Sequence, residues 1–221
     1  TEFSLLLKSI YFYYFKVVTK NSEFELFKQG NDTNIAVGDL WQLSCFDKDY
    51  DIPDEFKGKV MYQIFPDRFY SSGEKKTNVP QDRVYHESLD ETPEWQENEK
   101  FGRWNVDFFG GDLKGIGMKL PYLKELGVTC IYLNPIFEAQ SNHRYDTADY
   151  SKIDPTLGTE KDFTFLCKKA EEYGISIILD GVFSHTGDDS IYFNKYGRYD
   201  SLGAYQSTES PYYKWYKFRK H

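Results

Sequence analysis

Two short stretches hold the residues best suited to chemistry. Asp180 and His185 belong to Ile177-Ile178-Leu179-Asp180-Gly181-Val182-Phe183-Ser184-His185, an apolar run that reads as a buried strand ending in a carboxylate and an imidazole. Upstream, His143, Tyr145 and Asp146 stand in Asn142-His143-Arg144-Tyr145-Asp146-Thr147, which follows a second apolar run. Carboxylates and imidazoles bind hydroxyl groups and exchange protons, and a tyrosine adds a flat ring with a polar tip. In α/β proteins such groups gather just past the carboxyl ends of parallel strands. Two other chemistries fit less well. Ser184, His185 and Asp180 are too close in one strand to converge as a nucleophilic triad, which is a matter of geometry. A catalytic metal on His143, Asp146, Asp180 and His185 would miss the His-x-His spacing of such sites.

The elements that must position these residues alternate strand and helix from Lys57 onward. Val60 to Phe65 reads as a strand stopped by Pro66. Asp112 offers an N-cap to a helix whose Leu113, Ile116, Leu120, Leu123 and Leu126 share one face. Pro121 sits inside this helix, and Gly117 removes a side chain near the strained carbonyl, so a kink rather than a break is expected. Gly127 ends the helix, and Val128 to Leu133 is a second strand stopped at Pro135. Thr159 and Asp162 make a capping-box-like start to a second helix. Its buried face is Phe163, Leu166, Cys167, Ala170 and Tyr173, and Gly174 is its stop. Ile175 to Phe183 is the third strand.

Each helix returns almost directly to the next strand, whereas each strand reaches its helix through a long loop. Long loops at one end of a parallel sheet mark the functional end of a (β/α) barrel. The expected fold class is α/β, with the first three βα units of an eight-stranded TIM barrel over residues 56–186. Residues 187–221 are rich in Tyr and Trp without strand or helix period, and read as an inserted domain after the third strand. The aromatic side chains of that segment, from Tyr192 to Tyr216, read first as the packing of a small irregular subdomain and second as a platform for sugar rings. Residues 1–55 hold short β runs at Ile10 to Val18, Phe24 to Phe27 and Leu40 to Phe46, with a turn over Gln29 to Asp32. A free-standing sandwich needs about seven strands. This stretch is therefore expected to be the C-terminal part of an N-terminal β domain.

Composition narrows the partners. A net charge of -8 excludes a nucleic-acid or anionic-membrane partner, both of which require a basic face. No run approaches the ~18 apolar residues that span a bilayer. The opening Ser4 to Ile10 resembles a short signal core, but it continues into Tyr11-Phe12-Tyr13-Tyr14-Phe15 without a cleavage site and reads better as a strand. Cys45, Cys130 and Cys167 have no metal-like spacing, so buried free thiols and a cytoplasmic, reducing location are expected. Aromatic residues reach 19 %, which suits either a ring-rich core or a surface on which flat apolar sugar faces lie. Gly110-Gly111 matches no phosphate-loop spacing. Three parallel strands leave unpaired edges, which allow a homodimer through the sheet.

In order along the chain, several motifs resemble the α-amylase superfamily of glycoside hydrolases. They are Tyr62-Gln63-Ile64-Phe65-Pro66-Asp67-Arg68-Phe69, Phe108-Phe109-Gly110-Gly111-Asp112-Leu113, Tyr132-Leu133-Asn134-Pro135-Ile136-Phe137, His143 to Tyr150, and Asp180-Gly181-Val182-Phe183-Ser184-His185. The branch most similar is that of neopullulanase, cyclomaltodextrinase and maltogenic amylase. The resemblance implies a retaining hydrolase of α-1,4 and also α-1,6 glucosidic bonds in maltodextrin, cyclodextrin or pullulan. It also implies that Tyr145 stacks on the sugar at the scissile bond and that His185 binds its hydroxyl. His143 and Asp146 would share that rim, and Asp180 would stand behind it, orienting an arginine beside the nucleophile. The family's carboxylate pair comes from later strands. The 221-residue chain by itself is therefore expected to be inactive, since retaining glycosidases need two carboxylates about 5–5.5 Å apart. Gly111 and Asp112 match positions that in some relatives help hold calcium, but Lys75 and Lys76 fall where that ion wants oxygen ligands, so no cofactor is expected. The rival reading is a non-catalytic glucan-binding or interaction protein on a truncated amylase-like scaffold.

Overall fold

A computed structural model describes residues 7–47 and 51–219. The chain forms two units, Thr1–Pro53 and Asp54–His221. Of the signal-like opening, Ser4 to Leu6 lie outside the described residues. Among those described, no helix is long and apolar enough to cross a membrane.

The first unit holds β1 (Ser9–Tyr13), β2 (Phe15–Val18), β3 (Glu23–Gln29), β4 (Asp32–Ile35) and β5 (Trp41–Cys45). β1 pairs with β5, and β2, β3 and β4 form a second antiparallel sheet. The run expected as one strand from Ile10 to Val18 is thus two, parted at Tyr14. Side chains alternate across a strand, so Tyr13 and Phe15 both pack on Trp41, with centroids 5.9 and 5.1 Å away, while Tyr14 stacks on Phe27 at 5.1 Å. The ring that faces the other way takes the chain to a new partner. β4 is exposed throughout and polar except for Ile35, which hid it in the sequence. Its pairing follows from the tight turn at Gly30, whose φ of 59° suits glycine.

In the second unit, β6 (Met61–Ile64) leads into a one-turn helix, α1 (Pro66–Phe69), with proline at its first position. The loop that follows carries β7 (Val84–Tyr85) and β8 (Asp107–Phe108), which pair in parallel. α2 (Leu113–Glu125), β9 (Cys130–Leu133), β10 (Phe137–Ala139), β11 (Thr147–Ile153), α3 (Glu160–Glu172) and β12 (Ser176–Leu179) complete the unit, apart from 3-10 turns at Asp54–Phe56 and Tyr213–Trp215. β6, β9 and β12 make one parallel sheet in the order β12-β9-β6. Consecutive strands joined by helices on one face are the repeating unit of a TIM barrel. What stands here is three strands and two crossover helices, with residues 180–219 irregular except for the 3-10 turn.

One apolar layer holds sheet and helices together. Ile64, Ile131 and Leu133 meet Leu113, Ile116, Leu120 and Leu123 of α2 and Leu166 and Ala170 of α3, all essentially inaccessible to water. α2 runs unbroken through Pro121. Leu126 departs from expectation and is 54 % exposed. At 3.6 residues per turn it has rotated off the stripe that ends with Leu123. Thr159 caps α3 in a full capping box, accepting from the Asp162 amide while the Asp162 carboxylate accepts from the Thr159 amide at 2.8 Å. Phe163, Cys167 and Tyr173 are only half-buried at its edges.

The third strand is shorter than its apolar run suggested, ending at Leu179 rather than Phe183. β12 hydrogen-bonds along β9, and its last ladder bond runs from the Asp180 amide to the Leu133 carbonyl at 3.0 Å. Beyond Asn134, β9 offers Pro135, which has no N–H to give. Phe183 is consequently 85 % exposed rather than buried. The segment before β11 also corrects the sequence reading. Residues 137–153 form a bulged antiparallel hairpin, β10 on β11, where a plain loop was expected.

Candidate functional site

The last paired row of the sheet is Ile64, Leu133 and Leu179, in register. Asn134 and Asp180 come one step later and stand on the carboxyl edge. Asp180 lies at the end of a hydrogen-bonded run across all three strands. The Gln63 amide donates to Asn134 Oδ1 at 2.8 Å, Asn134 Nδ2 donates to the Tyr145 hydroxyl at 3.1 Å, and that hydroxyl donates to Asp180 Oδ2 at 2.9 Å. The Tyr132 hydroxyl also faces Asp180. Burial and the neighbouring Asp180 carboxylate both raise the Tyr145 and Tyr132 phenols above their usual range, so both stay protonated donors at neutral pH. Gln63, Tyr132 and Asn134 were quoted in the sequence only as motif members. Their position at strand ends was the signal that marks them.

His143, Arg144, Tyr145 and Asp146 occupy the turn between β10 and β11. Asp146 holds that turn together, its carboxylate accepting from the Ser141 amide at 3.1 Å and from the Ser141 hydroxyl. Its oxygens serve the loop. His143 Nδ1 accepts from the Tyr145 amide at 3.0 Å, and the two rings lie 5.9 Å apart. Burial lowers the His143 pKa from 6.5, with Arg144 pushing the same way against Asp146. The neutral ring is therefore favoured over the charged one, and a base with a depressed folded pKa stabilises the fold at high pH and loses that stabilisation as acid protonates it. The expected result in an NMR titration is a His143 ring resonance whose midpoint falls below 6.5. A midpoint above that value would contradict this environment.

His185 sits across from this turn. Its Nε2 lies 2.9 Å from the Tyr145 carbonyl and its Nδ1 lies 3.0 Å from the Ser184 hydroxyl. A carbonyl only accepts, so Nε2 carries the proton and Nδ1 takes the serine hydroxyl. Both nitrogens are thus occupied within the protein, and a bound hydroxyl must displace one partner. Ser184 is the exchangeable one, since its hydroxyl rotates freely. Gly187 follows because a Cβ there would lie 2.6 Å from the Asp146 carbonyl.

Beside these residues opens a cleft of about 700 Å³. Tyr150, Phe183 and His185 form one wall, and Phe193, Trp215 and Tyr216 of the aromatic tail form the other. The Tyr150 hydroxyl donates to the His185 carbonyl at 2.9 Å and also to that of Val182, tying the irregular segment to β11. The tail both packs and presents rings. Tyr192 is buried and stacks on Trp215 at 5.2 Å, whereas Trp215 itself is 60 % exposed. Phe183 reads in the sequence as part of a strand, and whether Phe193, Trp215 and Tyr216 pack or present rings is not decided there, because an irregular segment gives no period from which to read their direction.

Both oxygens of Asp112 are taken up inside the protein. Asp112 is fully buried, and its Oδ1 accepts from the Gly115 amide at 2.6 Å as helix cap. Its Oδ2 takes the Ser72 hydroxyl and the Lys76 ammonium, each at 2.6 Å. Gly111 is a glycine because a Cβ would strike the Asp67 carbonyl at 2.6 Å. Among the described residues no three His, Cys, Asp or Glu side chains come together as a metal site. A cation already sits on this carboxylate, so these residues do not fit calcium. Lys76→Ala is expected to cost about 2 kcal/mol, less than the ~3–5 kcal/mol of breaking a fully buried pair because Lys76 is 20 % exposed. A urea-denaturation midpoint unchanged in the variant would refute that.

The family model for the catalytic domain of alpha amylase matches residues 63–221. The chain is 53 % identical over 196 residues to the amylopullulanase of Thermoanaerobacterium saccharolyticum, covering 80 % of this chain and 15 % of that protein. It is 43 % identical over 141 residues to neopullulanase 2 of Thermoactinomyces vulgaris, covering 64 % of this chain and 22 % of the relative. Among solved structures, the type III pullulan hydrolase from Thermococcus kodakarensis superposes with a TM-score of 0.62 at 26 % identity, over 96 % of this chain and 36 % of that one. The chain thus spans less than a quarter of the length of the two curated relatives.

Proposed function

The chain belongs to the alpha-amylase family, in its neopullulanase-like branch, and from that membership we propose that it forms part of a retaining α-glucan hydrolase. Its relatives are named amylopullulanase and neopullulanase 2, and the proposed substrates are the α-1,4 and α-1,6 bonds of maltodextrin, cyclodextrin or pullulan. The observation that carries the reading is the Tyr145 ring, fixed by its hydroxyl to Asp180 and Asn134 while its face stays partly open, with 36 % of the residue exposed. A ring held at one edge and open on its face suits a glucose unit lying flat against it. His185 would trade Ser184 for a sugar hydroxyl. Asp180 would keep one oxygen for an arginine, and His143 and Asp146 would hold the turn. No cofactor enters this scheme, and a reducing, cytoplasmic setting suits its three free cysteines. Pairing of two copies through open sheet edges belongs to the same set of proposals.

Glycoside hydrolysis needs two carboxyl groups flanking the bond. Among the described residues, the one carboxylate that the Tyr145 hydroxyl bonds is Asp180, and it would serve an arginine rather than the cut bond. The 221-residue chain should therefore bind an oligosaccharide without cutting it. Purified chain incubated with maltotriose is expected to release no glucose above a blank, and to bind maltoheptaose by calorimetry. Glucose release would overturn the assignment of the cutting groups elsewhere, and absence of binding would overturn the glucan site.

A further inference from the structure

Trp95 and Trp104 lie outside everything used so far. Both are strongly exposed, at 78 % and 58 %, and both line a cleft of about 460 Å³ with Phe65, Arg68, Glu94 and Asp107. That size falls within the few hundred to about a thousand Å³ of small-ligand sites. Two large apolar rings left in water on one cleft are uncommon in the absence of a binding role. The alternative, a loose loop whose rings wander, does not match the way this segment is held.

The two tryptophans flank a closed ring of chain. The Asn98 amide donates to the Arg103 carbonyl at 2.9 Å, and the Gly102 amide returns to the Asn98 carbonyl at 2.8 Å. Asn98 Nδ2 grips both oxygens of Glu94, at 3.1 and 3.0 Å, just before Trp95. The Glu94 amide donates to the buried Asp107 carboxylate at 3.2 Å, and Arg103, just before Trp104, pairs with Asp82 at 2.7 Å. Asn105, directly after Trp104, adopts a left-handed φ of 59°, a conformation that costs energy in a non-glycine residue and persists where surrounding bonds enforce it. The backbone that carries the two rings is thus preorganised, and preorganisation lowers the entropic cost of binding.

The cleft also joins the Tyr145 rim. The Asn142 amide donates to the Asn105 carbonyl at 2.8 Å, and Asn142 Nδ2 donates to Asp107 Oδ1 at 2.9 Å. Asn142 precedes His143 and itself lines the tryptophan cleft. The floor carries a guanidinium, Arg68, and two carboxylates, Glu94 and Asp107. The indole faces suit the C–H faces of pyranose rings, and the partly exposed Arg68 guanidinium, already paired with Asp67 and Asp107, has further N–H groups to offer a hydroxyl.

We propose that Trp95 and Trp104 form a second glucan-binding platform, which holds glucose units of the same chain away from Tyr145. The proposal rests on the glucan reading of the Tyr145 site. It predicts a dependence on oligosaccharide length that Tyr145 alone does not create. Wild-type chain, the W95A/W104A double variant and Tyr145→Ala are titrated calorimetrically with maltose and with maltoheptaose. The double variant is expected to bind maltoheptaose at least about tenfold more weakly while its maltose affinity stays unchanged; Tyr145→Ala weakens both. W95F/W104F, which keeps flat apolar rings, recovers most of the maltoheptaose affinity. Unchanged maltoheptaose binding in W95A/W104A overturns the platform and leaves the Tyr145 site standing. Equal loss of both sugars, or no recovery in the Phe pair, overturns it as well. A wild-type chain that binds neither sugar overturns both readings.

Discussion

Asp154→Ala is expected to remove about 4–5 kcal/mol of stability, a large part of the ~5–15 kcal/mol of an ordinary domain. Asp154 is fully buried and lies between two guanidiniums that are themselves almost inaccessible, Arg83 and Arg144. Arg83 Nη1 lies 3.2 Å from Oδ1, and Arg144 Nε lies 3.2 Å from Oδ2 as an ion pair without hydrogen-bond alignment. Arg144 also donates to the Asn142 carbonyl and to Thr156 Oγ1, each at 2.7 Å. Removing the carboxylate would strand two buried cations, and that penalty exceeds what any surface pair contributes. Arg144 sits between His143 and Tyr145, so the turn that presents both should loosen with it. A shift of the denaturation midpoint worth less than about 1 kcal/mol would show that the network is not needed.

The same residue has a definite acid signature. Burial alone would raise the Asp154 carboxyl, but Arg144, Arg83 and Thr156 outweigh it and hold the group below its usual 3.8. Its contribution is therefore present above pH 3.8 and lost as pH falls through the lower folded value. Asp67 runs the opposite way, because burial outweighs its amide and arginine partners and raises it. The difference between wild type and Asp154→Asn, rather than the wild-type curve alone, isolates the Asp154 share.

Tyr145→Ala is expected to weaken maltoheptaose binding by about ten- to a hundredfold, or ~1.4–2.7 kcal/mol. The variant removes the exposed ring face and leaves Asn134 and Asp180 without the hydroxyl they share. Tyr145→Phe separates these contributions. It keeps the face and loses both hydrogen bonds, so a decrease of less than about fivefold is expected if stacking dominates. Calorimetric affinities for the two variants that coincide would transfer the role from ring face to hydroxyl. Full affinity in the alanine variant would remove Tyr145 from the glucan site altogether.

The parallel strands were legible because their apolar runs end in proline or polar residues, and both helices because caps and stripe coincide, from Asp112 with Leu113 to Thr159 with Leu166. The hairpin of β10 and β11 was less legible. Its register breaks at both Phe137/Glu138 and Glu138/Ala139, and a bulge interrupts the alternation from which strands are read. Lengths were overread where an apolar run outlasted its partner, as in β12.

Local chemistry in the sequence determined the elements, the carboxyl-edge location of Asp180 and the grouping of His143, Tyr145 and Asp146, because propensity, capping and period act over a few residues. Only tertiary structure decided what those groups are free to do. Asp146 is taken up by Ser141, both His185 nitrogens have protein partners, and Lys76 stands on Asp112. Two of these partnerships, His185 with the Tyr145 carbonyl and Lys76 with Asp112, join distant parts of the chain, and the local ones, Ser141 with Asp146 and Ser184 with His185, depend on how the turn and the strand end are folded. Hydrogen bonds saturate, and spacing along a sequence does not record that competition.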